Sequence, residues 1–152
     1  MLPHQPEVLI DPGPFRSAPV DLIERAIRLT LDEDGTIAEI SLALLADSAM
    51  QELNLRHLGR DWTTDVLSFS LGGKDIVKDI VVGDVYVGFE QARHQAKELG
   101  IELDEELARL AIHGTLHVLG HDHPEGPERS ESPMFQIQEQ LLRDILGREV
   151  VD

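Results

Sequence analysis

The sequence predicts an α/β (α+β) fold: a single domain with a small mixed β-sheet flanked by helices. Two observations carry this expectation. Short β-branched runs alternate with stretches of helical periodicity in the order β α β α β β α α α, a pattern that layers helices on a sheet. The chain has 152 residues, enough for one sizeable core and too few for two.

EVLI at 7–10 reads as a short strand closed by the turn-forming DPGP. A helix is expected from Ser17 onward, with Val20, Ile23, Ile27 and Leu31 on one face. TIAEISLALL at 36–45 opens with period-two alternation and is read as a strand. Asp47 and Ser48 are suited to cap the helix AMQELNLRHL. DVLSFSL at 65–71 and IVVGDVYVG at 80–88 are strands separated by a glycine-rich loop, either paired antiparallel or split by a longer excursion. FEQARHQAKEL is helical and stops at Gly100. Asp104 opens the next helix and Gly120 closes it, placing a histidine-bearing helix near the C-terminal third. Ser132-Pro133 starts the last helix, with Met134, Ile137, Leu141 and Ile145 on its inward face.

Composition narrows the function. With 41% hydrophobic residues, 28% charged residues and a mean hydropathy of −0.15, the chain reads as soluble, and no apolar run is long enough to span a bilayer. The N-terminus lacks the basic and apolar regions of a signal peptide, so the expected compartment is the cytoplasm, without a membrane partner. The absence of cysteine removes thiolates as metal ligands. A formal charge of −16 argues against a charge-driven, nonspecific nucleic-acid binder, although a bound cation can reverse the local field of a site. The bases at RHLGR (56–60), Lys74 and Lys78 are read as an ordinary solvated surface, with a local basic groove as the alternative.

The densest chemistry lies in HGTLHVLGHDH, residues 113–123. His113 and His117 stand four apart on one helix face, so their rings can converge on one ion. A turn at Gly120 brings the chain back and makes His123 the expected third ligand. His121 competes for that role, but a straight row of three histidines spans two helical turns, too far to share one ion. Asp122 either receives a ligand ring N–H or caps the turn. Three protein ligands leave a position open, as in catalytic rather than structural zinc sites. Imidazole suits zinc, nickel, copper and iron alike, so spacing leaves the metal open. The zinc-peptidase pattern H-E-x-x-H places a glutamate base where this chain has Gly114, which weakens a peptidase reading.

HGTLHVLGHDH resembles the H-G-x-L-H-L-x-G-Y-D-H signature of the YbeY family of bacterial single-strand-specific endoribonucleases, or rRNA maturation factors. ELNLRHLGRDWTTDVLSFS is similar to that family's E-L-N-x-x-Y-R-x-x-D-x-P-T-D-V-L-S-F-P, and GDVYVGFEQARHQA to its strand-to-helix passage. The resemblance implies one Zn2+ on His113, His117 and His123, and cleavage of single-stranded RNA. It further implies a role in rRNA maturation, including 16S rRNA 3′ end processing, and in ribosome quality control, in contact with the small ribosomal subunit and assembly factors. Three departures stand out. The signature tyrosine is His121, two prolines become Thr63 and Ser70, and the arginine tied to family activity aligns with Leu58, flanked by Arg56 and Arg60. Arg60 is the expected replacement, because a guanidinium fork near the metal can hold a phosphate and offset developing charge. Asp65 and Ser68 are candidates to line the groove, with a turn cap and an ordinary strand residue as their plain alternatives. Attack by the RNA 2′-hydroxyl and attack by metal-activated water both remain open. A metal-dependent hydrolase of another substrate and a noncatalytic zinc module that docks on the ribosome are the competing classes.

Overall fold

The computed structural model describes residues 7–58, 64–71, 80–124 and 126–147. Four strands, β1 (Glu7–Asp11), β2 (Ala38–Leu45), β3 (Val66–Ser70) and β4 (Val81–Gly88), form one sheet in the order β1-β2-β4-β3. β1 pairs parallel with β2 and β2 parallel with β4, whereas β3 runs antiparallel to β4 at the far edge. The sheet is therefore mixed, and of the two arrangements left open for the β3 and β4 segments the antiparallel pair is the one formed.

Helix α1 (Val20–Asp34) makes the crossover from β1 to β2 and buries Ile23, Ile27 and Leu31 against Ile40, Leu42 and Leu44. It starts later than expected: Pro19 stands at the cap and no side chain bonds there, so Ser17 does not cap it. Gly35, at φ 73°, ends it in the left-handed conformation that residues with a Cβ avoid. Helix α2 (Asp47–Leu58) contains Asp47 in its first turn instead of being capped by it; the Asp47 N–H donates to Glu90 on α3 (Phe89–Leu99).

Helix α4 (Leu103–Val118) is the centre of the molecule. It packs on β3 and β4 on one side and on α5 (Pro133–Leu146) on another, with α1 and α3 beside it, and is buried nearly all round. Two glycines let it lie so close. A Cβ at Gly83 of β4 would stand 2.3 Å from a Val118 methyl, and one at Gly114 of α4 would stand 2.5 Å from a Val85 methyl. The second core cluster, Ala26, Ala108, Ile112, Leu116, Met134, Leu141 and Leu142, fastens α5 over α1 and α4.

A short 3-10 turn (Pro127–Glu131), which sequence periodicity did not reveal, leads to α5. Ser132 caps α5 as expected, its Oγ accepting from the Phe135 N–H at 3.2 Å. The inward face of α5 differs from the expected one. Ile137 is 38% exposed, while Gln138 is buried. An apolar stripe chosen by residue type selects Ile137, but the position facing α4 carries an amide because a polar partner waits there.

Candidate metal centre

That partner is His113. Together with His117, one helical turn on, it projects from the C-terminal half of α4 toward the cleft beside β3. The helix then ends in a Schellman turn: the Gly120 N–H bonds the His117 carbonyl and the His121 N–H bonds the Leu116 carbonyl, both at 3.0 Å, with Gly120 at φ 101°. This reversal carries His123 back over the two helical imidazoles. Ring centroids of His113, His117 and His123 lie 4.6 to 5.1 Å apart, and one ring nitrogen from each falls within 4.8 Å of the others, a grouping that could hold a metal ion.

Each ring is oriented by an acceptor on its far side. His113 Nδ1–H donates to Gln138 Oε1 at 2.6 Å, His117 Nδ1–H to the His121 carbonyl at 3.1 Å, and His123 Nδ1–H to the Pro124 carbonyl at 3.1 Å. With Nδ1 protonated in all three, the Nε2 atoms carry lone pairs. His113 Nε2 and His117 Nε2 are 3.1 Å apart with no proton left to bond between them. Two ligands about 2.0–2.1 Å from one tetrahedral ion would stand roughly 3.3 Å apart, so this spacing fits a shared cation.

Electrostatics favour the neutral form of the two helical rings. Burial pulls the His113 pKa from 6.5 down to about 4, against the Gln138 hydrogen bond, with the charges of His117 and Arg129 adding to the fall. Burial also lowers His117, and the charge of His123 adds to it. Neutral imidazoles are the form that binds metal.

The cleft holds about 560 Å3 and is bounded by the three imidazoles, Val66, Leu67 and Ser68 of β3, and the turn from Gly120 to Asp122. Ser68 thus lines it, whereas Asp65 does not: its carboxylate receives Gln95 Nε2–H at 3.0 Å and its carbonyl the Gly88 N–H, a structural role. Asp122 takes the turn-capping role, its Oδ1 accepting the His123 N–H at 2.8 Å. His121 points away from the ring cluster and bonds Asp34 at the end of α1, at 3.0 Å. Burial would raise the Asp34 pKa, but hydrogen bonds from His121 and Thr36 bring it below the usual value. A larger groove of about 920 Å3 between α1 and α5 shares His121 but none of the three clustered imidazoles. Gly114, between the histidines, faces Val85 and Val66, so a glutamate there would run into the sheet.

Arg60 and Thr63 lie outside the described residues, as do Lys74 and Lys78. Arg56 is on the exposed side of α2, paired with Glu52 at 2.7 Å. Two residues near the histidines escaped the sequence reading. Gln138 was hidden because an isolated glutamine on a helix has no motif, though its place among Met134, Leu141 and Leu142 on the buried face was a signal. Arg129 was hidden in an irregular segment.

The model of the family described as endoribonuclease YbeY matches residues 16–146. The chain belongs to the YbeY family. A relative from Carboxydothermus hydrogenoformans, named endoribonuclease YbeY, is 40% identical over 130 residues, covering 86% of this chain and 87% of that protein. A Persephonella marina relative of the same name is 41% identical over 108 residues, 70% of each chain. A Thermotoga maritima protein solved in solution superposes with a TM-score of 0.64 at 27% identity, covering 93% of this chain and 89% of that one. The fold is thus shared with that solved structure over nearly the whole chain. Among the described residues, no helix is long and apolar enough to cross a membrane.

Proposed function

We propose that this chain is a zinc-dependent endoribonuclease that cleaves single-stranded RNA in rRNA maturation, including 16S rRNA 3′ end processing and ribosome quality control. The observation that carries the reading is the convergence of three Nε2 lone pairs, from His113, His117 and His123, on an open cleft in a chain whose relatives are named endoribonucleases. A divalent ion held there would supply Lewis acidity toward a phosphoryl oxygen and lower the pKa of a water.

The protein's own contribution is orientation. Gln138, the His121 carbonyl and the Pro124 carbonyl fix the three ring planes, and Ser68 borders the path a strand would take along β3. Arg60 is assigned to hold the scissile phosphate. Arg129 adds positive charge that both His113 and His117 feel. Arg60→Ala is expected to reduce cleavage while Arg56→Ala leaves it near wild type; the reverse result removes Arg60 from the mechanism.

A peptidase is not favoured. Among the described residues lining the cleft, the one carboxylate is Asp122, tied to its own turn, and Gly114 has no room to become a base. The partners that accompany this reading are the small ribosomal subunit and assembly factors, in the cytoplasm; co-sedimentation with 30S particles tests them.

The deciding experiment is cleavage of a labelled single-stranded RNA by zinc-loaded protein, beside a chelated sample and folded His117→Ala. Activity lost in both controls supports the reading. Equal activity in all three samples means that the three-histidine site does not carry the observed cleavage. A 2′,3′-cyclic phosphate beside a 5′-hydroxyl assigns attack to the RNA 2′-hydroxyl, whereas a 5′-phosphate beside a 3′-hydroxyl assigns it to water.

A further inference from the structure

A relay runs from His113 through buried Gln138 to the half-buried pair Glu139 and Arg109. Gln138, 4% exposed, accepts the His113 Nδ1–H through Oε1 at 2.6 Å. Its Nε2 donates to Glu139 Oε2 at 3.1 Å. The Glu139 carboxylate is clamped by Arg109, with Nε at 3.0 Å and Nη2 at 3.2 Å, and Arg109 Nη1 also donates to Glu106 Oε1 at 2.7 Å. Glu106 is itself 3% exposed.

The order of donors and acceptors in this chain allows one arrangement. The two ends of a glutamine amide are alike in shape, so the amide alone would accept from His113 or donate to it equally well. An ionised carboxylate only accepts. Glu139, a carboxylate gripped by the two prongs of the Arg109 guanidinium, accepts from the NH2 end of Gln138 and leaves Oε1 toward His113. Facing an acceptor, the His113 ring must carry its proton on Nδ1, which leaves the Nε2 lone pair directed at His117 and His123.

We propose that Gln138 is a positioning residue for the metal centre: it holds His113 in the Nδ1-protonated tautomer, and Glu139 with Arg109 sets the direction of that hold. The inference rests on the reading of His113 as a metal ligand. The relay also keeps His113 from turning on its long axis, because the 2.6 Å bond is made to an amide buried on α5. Among the described residues, His117 and His123 bond main-chain carbonyls of their own turn, whereas His113 is oriented by a side chain of a neighbouring helix.

Two measurements test it. In metal-free wild-type protein near neutral pH, 15N chemical shifts of the His113 ring are expected to show a protonated Nδ1 and an unprotonated Nε2; a protonated Nε2 overturns the proposal without needing any variant. In competition titrations with a chromophoric chelator, Gln138→Leu is expected to weaken zinc binding by about 10–100-fold, the usual cost of losing such an outer partner. Gln138→Glu, which keeps an acceptor, should recover most of that loss. Folded Gln138→Leu binding zinc as tightly as wild type overturns the relay but leaves the ligand assignment standing. Wild-type protein that binds no zinc overturns both. Should Gln138→Leu fail to fold, the wild-type tautomer decides.

Discussion

At the scale of single residues, His113 joins two demands that conflict in acid. The ring must be buried to sit on α4 beneath the turn, and it must stay neutral to offer Nε2. Its pKa of about 4 in the fold, against 6.5 in an unfolded chain, makes protonation favour unfolding. The sign follows from linkage: between these values the unfolded chain binds a proton that the folded chain does not, so stability falls as pH falls. Metal-free protein is therefore expected to lose roughly 3 kcal/mol as pH drops from 6.5 toward 4, at 1.36 kcal/mol per unit. Urea unfolding of wild type and His113→Gln across that range checks this. The variant's curve should be flatter by that amount, and parallel curves would mean the burial does not act on His113.

Secondary-structure elements explain why the histidines meet. Gly114→Ala sets helix propensity, a gain of about 1 kcal/mol, against a Cβ 2.5 Å from a Val85 methyl. Valine is stiff about χ1 and sits in the middle of β4, so the clash should win, with a net loss of about 1–3 kcal/mol in urea unfolding and weaker zinc binding. An unchanged or raised midpoint would show that α4 can lift off the sheet. Ser132→Ala removes the cap of α5, for about 1 kcal/mol, and should also loosen Gln138.

The same elements show what the chain spells out in advance. Ile23, Ile27 and Leu31 recur at helical spacing and face the sheet, and Gly120 turns the chain where a glycine after a helical run predicts, so the histidine cluster was legible. Ile137 and Gln138 were not, because which neighbour faces inward depends on how α5 is rotated over α4. Gly114 looked like a missing base in one dimension, and packing turns it into a contact.

For the molecule as a whole, charge and substrate are mismatched. A chain of net charge −16 repels RNA at long range, so binding must rest on a few local contacts. Phosphate contacts to single strands give a salt slope of about −0.7 each, so log affinity against log salt should be shallow, on the order of one to two contacts. A steep slope would reveal a basic surface formed by residues beyond those described. Zinc should in turn stabilise the fold, by about 2.7 kcal/mol at one hundred times its dissociation constant, visible as a higher Tm that chelator reverses.

The unequal footing of the three imidazoles also gives metal exchange an order in time. His113 and His117 belong to a helix buried between sheet and α5, whereas His123 sits on a surface turn that is held by the Schellman bonds and by His121 against Asp34. Under the proposed ligand assignment, the turn ring is expected to be the last ligand to close and the first to let go, because the helical pair is fixed between sheet and α5. Stopped-flow zinc capture and release on His123→Ala should then show a dissociation rate raised far more than the association rate is lowered.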